Sequence, residues 1–213
     1  LFGGYDGPMT ESARHVASLA GCGGGEWRRL GGGFQLDHNA WVARTMKPAI
    51  LNESVWRSLE EDAALTAYYR DEFARLAEQS EEIDPMQVHL KFMRRVNLSG
   101  LLLRLDSATM RESVEGRTPL ADQAVATLAE GLAMGEKFDV GGEVSDPARY
   151  RTKIALRRAF ENDVPRGVLL RPKASFPLPF QKWVGDRAGV LRESTLAGEL
   201  FSVAAIETVA SQP

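Results

Sequence analysis

Apolar positions recur at helical spacing along most of the chain. Thr10 precedes Val16, Leu19 and Ala20, and Gly21 is a natural stop, so a short helix is predicted over 10–20. Gly23, Gly24 and Gly25, then Gly31, Gly32 and Gly33, bracket Trp27 and Leu30 and predict mobile loops; neither cluster has the spacing of a phosphate-cradling loop. From Glu53 to Ser80 there is neither Gly nor Pro, and Leu65, Tyr69, Phe73 and Leu76 form one stripe, which predicts a single long amphipathic helix. Asp84-Pro85 is a strong start signal, an Asp cap followed by a Pro where its missing N–H costs nothing. The helix after it is the most apolar in the chain, with Leu98, Leu101, Leu102 and Leu105 at i, i+3, i+4 and i+7. It is expected to be the central buried element, to run to about Ser113 and to break near Ser99-Gly100.

Val114-Glu115-Gly116-Arg117-Thr118-Pro119 ends that helix, because Gly can close a helix and Pro cannot continue one. A further helix is expected from Ala121 to Met134. Asp146-Pro147 repeats the start signal, and Tyr150, Ile154, Leu156 and Phe160 supply apolar contacts to about Asn162, with Arg149, Lys153 and Arg157 stacked by fours on the opposite side. Pro165, Pro172, Pro177 and Pro179 then mark a loop-rich stretch, and helical signal resumes after Gly185 and from Leu196 to Ala210. No window alternates convincingly as a strand, and nothing repeats at a fixed period, so the chain reads as mostly α.

Composition bounds the function. The 213 residues are 44% hydrophobic, enough for one sizeable core. The 26 Lys and Arg against 29 Asp and Glu give a net charge of −3, which excludes general polyanion binding. Cys22 is the single cysteine, no Cys/His cluster has zinc-ligand spacing, and no stretch approaches a membrane span, so a soluble protein of a reducing, cytoplasmic setting is expected, with neither nucleic acid nor membrane as partner. Asn52-Glu53-Ser54 and Asn97-Leu98-Ser99 match the glycosylation acceptor pattern without an export signal and read as chance matches. A chain that opens without Met inside a Gly-aromatic phrase reads as a fragment of something longer.

Charge is distributed unevenly. Residues 149–173 hold eight bases against Glu161 and Asp163, a surplus of six, which leaves −9 on the remainder. Such a zone suits a phosphate-bearing ligand, and it equally suits a solvated basic helix paired with the acid-rich segment from Glu60 to Glu82. That acid-rich segment reads as a solvated face, since its carboxylates spread around a helix and do not converge on a metal. Glu115, before Gly116, and Lys173, after Pro172, are charged groups on conformationally restricted turns, a placement found in active sites and in inert loops alike. His15, His38 and His89 are far apart and lack a partnered Ser or Cys motif.

Longer motifs separate these readings. Arg104-Leu105-Asp106-Ser107-Ala108-Thr109-Met110-Arg111-Glu112-Ser113-Val114-Glu115-Gly116-Arg117-Thr118-Pro119-Leu120-Ala121-Asp122 resembles the R-x-D-x-x-x-M-x-x-S-x-E-x-R-x-P-x-x-D signature of asparagine synthetase-type amidotransferases. Lys153-Ile154-Ala155-Leu156-Arg157-Arg158-Ala159 resembles that family's K-x-x-L-R-R-A helix, and Arg171-Pro172-Lys173 with Phe176 and Pro179 resembles its R-x-K-x-x-F-x-x-P loop. Leu1-Phe2-Gly3-Gly4-Tyr5 is similar to the segment that follows the family's S-G-E-G-x-D-E loop. The four matches keep the family's order.

The resemblance implies the C-terminal helical part of an α/β adenine-nucleotide-binding synthetase domain of the PP-loop, Rossmann-like kind. Residues 1–213 would be its C-terminal portion, with the pyrophosphate loop and the N-terminal glutaminase domain absent from this chain. It implies an ATP-dependent carbon–nitrogen ligase that uses Mg²⁺: a small-molecule carboxylate is adenylated, and ammonia, derived from glutamine, displaces AMP. Glu115 and Lys173 would be catalytic, Glu115 orienting or deprotonating the amine and Lys173 stabilising the adenylate and the oxyanion. Lys153 would face the phosphates, and Arg117 would hold Glu115 or Asp122. The upstream part of the same protein is the implied partner, and a homodimer is left open. Gly116, Thr118, Leu120 and Ala121 stand where the family usually carries Ala, Val, Phe and Leu, which implies altered packing beside Glu115 and an unusual acceptor, as in secondary metabolism. A β-lactam synthetase-like intramolecular ligase and a non-catalytic helical adaptor are the alternatives.

Overall fold

The computed structural model describes residues 32–38, 42–79, 84–139, 152–171 and 187–211. The helix expected over 10–20, the glycine loop before residue 32, the Asp146-Pro147 start signal and the loop carrying Lys173 lie outside them. Helices dominate the described residues, which contain isolated β-bridges and no strand. In chain order they are α1 (Gly33–His38), α2 (Lys47–Ile50), α3 (Glu53–Ser58), α4 (Ala63–Glu78), α5 (Pro85–Met93), α6 (Ser99–Met110) and α7 (Gln123–Gly131). They continue as α8 (Met134–Lys137), α9 (Ile154–Ala159), α10 (Arg166–Leu169), α11 (Ala188–Glu193), α12 (Thr195–Leu200) and α13 (Val203–Ala210). Two compact units emerge, one from residues 70–171 and the other from 33–69 and 187–211, with the boundary inside α4.

The first unit is organised by α5. Asp84 caps it as expected, its carboxylate accepting from the Met86 N–H at 2.7 Å, and Pro85 occupies the first turn. Met86, Gln87, Val88, His89, Leu90 and Phe92 are all buried. Phe92 meets Phe73 of α4 edge to face, ring centres 5.3 Å apart, a geometry worth about 0.5–1.5 kcal/mol beyond area burial. Met86 and Leu90 pack with Phe138, and Met134 borders them.

Of the helix expected to be the central buried element, the first part, α5, is buried as expected, whereas the leucine run that follows is not, which corrects that half of the expectation. No residue of α6 is buried, and Leu101 and Leu103 are 57% and 66% exposed. A leucine stripe shows that an apolar face exists, but it does not name what covers it. Between α5 and α6, Arg94–Leu98 forms one widened π-helical turn with helical backbone on both sides, so the expected break is a bulge within one continuous helix. Its adjacent arginines diverge: Arg94 pairs with Glu130 of α7 at 2.6 Å, and Arg95 reaches Glu72 of α4 at 3.5 Å.

The single helix expected from Glu53 to Ser80 is interrupted. Glu60, Glu61 and Asp62 all take left-handed backbone, φ 48°, 55° and 64°, between α3 and α4. Asp62 is buried there against the Lys47 ammonium, so a tertiary ion pair overrides local helix propensity. The helix read over Leu196–Ala210 is likewise split, because Phe201 and Ser202 pair with Leu51 and Ile50. Asn52 completes this seam. Its side-chain nitrogen donates to the Gly198 and Glu199 carbonyls at 2.8 and 2.9 Å, so the atom a glycan would need is engaged internally. Ser202 closes the other side, Oγ donating to the Ala49 carbonyl at 3.1 Å.

Glu72 on α4 accepts from Arg75 at 2.8 Å, and that hydrogen bond holds its carboxyl below the usual range although burial opposes it. A lowered folded-state value contributes stability that is present above the ordinary carboxylate value of 4.5 and is lost as pH falls through the lowered one. With Arg75 about half exposed, Glu72→Gln should cost about 0.5 kcal/mol at neutral pH. It should also shrink the acid-side loss of thermal stability, checked by melting curves from pH 7 to 3.

Candidate active site

Two of the three predicted site residues fall among the described residues, both in the first unit. Glu115 sits in the turn after α6. The helix ends at Met110, and Ser113 reverses the chain with left-handed backbone, φ 56°. The chain then runs without regular secondary structure to Pro119. The Glu115 carboxylate is 65% exposed and its Oε1 accepts from Arg117 at 2.7 Å, one of the two roles expected of Arg117. Asp122 has other work: it caps α7, accepting from the Ala124 N–H at 2.7 Å.

Gly116 follows Glu115 and packs directly on α6. A Cβ there would stand 3.0 Å from both Leu105 Cγ and Thr109 Oγ1, and neither can easily give way. Leu105 Cγ is a branch point, and the Thr109 hydroxyl donates to the Leu105 carbonyl at 3.0 Å. The backbone beside Glu115 thus lies close enough to α6 that a Cβ at position 116 would press on Leu105 and Thr109. A groove of about 560 Å³, bordered by Leu103, Arg104, Ser107 and Arg111, runs along the same helix.

Lys153 occupies the N-cap of α9 with left-handed backbone, φ 52° and ψ 38°. It therefore precedes the helix, so Lys153 and Arg157 do not share a helical face as expected; Arg149 lies outside the described residues. The Arg157 guanidinium donates to the Leu169 carbonyl and so ties α9 to α10. Arg158, Arg166 and Arg171 remain exposed on the same segment. Thr152, buried, forms an antiparallel bridge with buried Phe138 and sets the chain entering Lys153. A non-glycine residue in this conformation carries strain that only well-determined surroundings sustain, a condition that recurs at functional sites.

Residues 1–211 match the sequence model of asparagine synthase. The chain belongs to the asparagine synthase family. A Mycobacterium tuberculosis strain H37Rv protein with the provisional name asparagine synthetase [glutamine-hydrolyzing] is 40% identical over 113 residues, 50% of this chain and 16% of that protein. Asparagine synthetase [glutamine-hydrolyzing] 1 of Bacillus subtilis strain 168 is 36% identical over 87 residues, 39% of this chain and 12% of its own length. The match thus spans less than a fifth of either relative. No solved structure gives a significant match.

Among the described residues no helix is long and apolar enough to cross a membrane, and no group of three or more His, Cys, Asp or Glu is placed to hold a metal ion. Two buried polar residues of this asparagine synthase-family chain escape sequence reasoning. Gln87 and Lys137 are 8% and 1% exposed and hydrogen-bonded to each other, and no periodicity marks either as buried.

Gly116→Ala should lower stability by about 1 kcal/mol, overpacking outweighing the entropy gained by replacing glycine. Denaturant titration measures this, and a more stable variant would contradict the close approach to α6.

Proposed function

We propose that this chain is the C-terminal part of a synthetase domain that joins a small-molecule carboxylate to nitrogen at the expense of ATP. The family match across residues 1–211 carries this reading. The names of the relatives support glutamine as the nitrogen donor. In this reading the helical chain completes an α/β nucleotide-binding domain whose pyrophosphate loop, and a glutaminase domain, lie upstream in the same polypeptide.

The chemistry needs phosphate recognition, and the residues present fit it. Half-exposed Lys153 at the start of α9, with exposed Arg158, Arg166 and Arg171 nearby in sequence, supplies positive charge of the kind that phosphate oxygens require. Magnesium would take its ligands from phosphate oxygens and mostly from residues upstream of this chain. ATP activates the acid: a carboxylate oxygen attacks the α-phosphorus, pyrophosphate leaves, and the amine then displaces AMP. Lys153 offsets the charge that builds on the departing pyrophosphate. Glu115, steadied through Oε1 by Arg117, orients the incoming amine and accepts its proton. Lys173 stabilises the acyl phosphate oxygens and the oxyanion formed on nitrogen attack. The glycine at 116 supports an acceptor acid other than the usual one, of the sort handled in secondary metabolism.

The experiments use the full-length protein carrying this sequence. Lys173→Met should abolish carboxylate-dependent ATP–pyrophosphate exchange with folding intact; unchanged exchange would favour a non-catalytic adaptor. Glu115→Gln should slow amide formation by at least about tenfold more than exchange, and equal loss in both would remove the base role. Exchange that persists while glutamine and ammonia both fail as donors would favour an amine within the substrate, as in β-lactam synthetases.

A further inference from the structure

Lys137 closes α8 and is more deeply buried than any other Asp, Glu, Lys or Arg among the described residues. Its ammonium donates to Gln87 Oε1 on α5 and, at 3.5 Å, to the Glu130 carbonyl; Gln87 in turn donates to the Leu132 carbonyl at 2.8 Å. Burial pushes the ammonium below the ordinary lysine range, with the Glu130 carboxylate acting against that shift. A cavity of about 10 Å³ beside Lys137, Gln87, Arg94 and Glu130 has room for one water at most. Replacing a buried charge by an apolar side chain of similar size is often neutral or stabilising, so stability alone gives no reason for an ammonium here.

Position gives one. The next residue, Phe138, is extended and buried against Met86 and Leu90. Its backbone bridges Thr152, and the residue after Thr152 is Lys153 in its left-handed conformation. The chain that aims Lys153 thus hangs on a bridge whose near side is fixed by the Gln87–Lys137 hydrogen bond. We propose that Lys137 is a positioning residue for phosphate recognition: held by Gln87, it anchors the Phe138–Thr152 bridge and thereby fixes where the Lys153 ammonium stands. This rests on the phosphate-facing role proposed above for Lys153.

A double-mutant cycle in the full-length protein tests it. Inorganic pyrophosphate with Mg²⁺ is titrated calorimetrically into the unaltered protein, Lys137→Met, Lys153→Ala and the double variant, and the KM for ATP is measured in exchange. Amide hydrogen exchange is followed over 152–157. Lys137→Met should weaken pyrophosphate binding and raise the KM for ATP by about tenfold with kcat changed less than about twofold, and should add nothing once Lys153 is alanine. Amides over 152–157 should exchange faster. Additive effects in the cycle, or unchanged pyrophosphate binding in a folded Lys137→Met, overturn the proposal. If Lys153→Ala alone leaves pyrophosphate binding unaltered, it is the phosphate role of Lys153 that fails. Exchange over 152–157 in Lys137→Met then decides the anchoring by itself, acceleration upholding it and no change overturning it. Should Lys137→Met not fold, Gln87→Leu removes the same hydrogen bond from the other side and enters the cycle with the same expectations.

Discussion

Removing about two turns of helix from water on nearly every side dictates most of what the first unit does. Met86 to Phe92 cannot be buried by a single neighbour, because apolar and polar side chains alternate around the whole circumference of α5. Phe73 of α4 covers Phe92, and Phe138 covers Met86 and Leu90. The polar residues in the same stretch then have to find partners inside, as Gln87 does with Lys137 and Leu132. One of the residues recruited to cover α5, Phe138, is bridged to Thr152, which immediately precedes Lys153. Packing and candidate chemistry are therefore joined through a few residues of backbone.

Left-handed backbone marks both described candidates. Ser113 lies two residues before Glu115, and Lys153 is itself left-handed. In each case a tight reversal next to a helix end places a charged side chain at the edge of a rigid element, which is how loops acquire precise orientation without burying their backbone. The basic segment is also less uniform than its composition implies. Arg157 serves as an internal tie to Leu169, while its neighbour Arg158 is exposed.

Capping chemistry was the most legible part of the fold. Asp84-Pro85 starts a helix in the structure as in the sequence, because that signal acts over three or four residues; α6 ends earlier than the expected stop at Gly116, at Met110, with Ser113 taking the left-handed backbone. The helix expected from Ala121 to Met134 forms over a shorter span, capped by Asp122. Periodicity placed helices well and their surroundings poorly. The leucines of α6 read as core and are not buried, and the break at Glu60–Asp62 depends on Lys47, fifteen residues away. For the candidate site, motif order identified the family, and the Glu115–Arg117 pair was within reach of sequence reasoning. The Gln87–Lys137 bond was not, since it joins residues fifty apart whose types are ordinarily solvated.

The seam in the second unit carries a consequence for how the molecule is made. Asn52 is held by Gly198, and Ala49 by Ser202, partners 146 and 153 positions along the chain. A ribosome releases the N-terminal side of that seam long before its other side exists. During that interval all the described residues of the first unit between 70 and 171 have emerged, and their hydrogen bonds and ion pairs span far shorter separations. Vectorial synthesis thus delays the seam: the unit built from both flanks cannot close until residues 198–202 have been made, after the whole stretch from Glu115 to Lys153 has emerged.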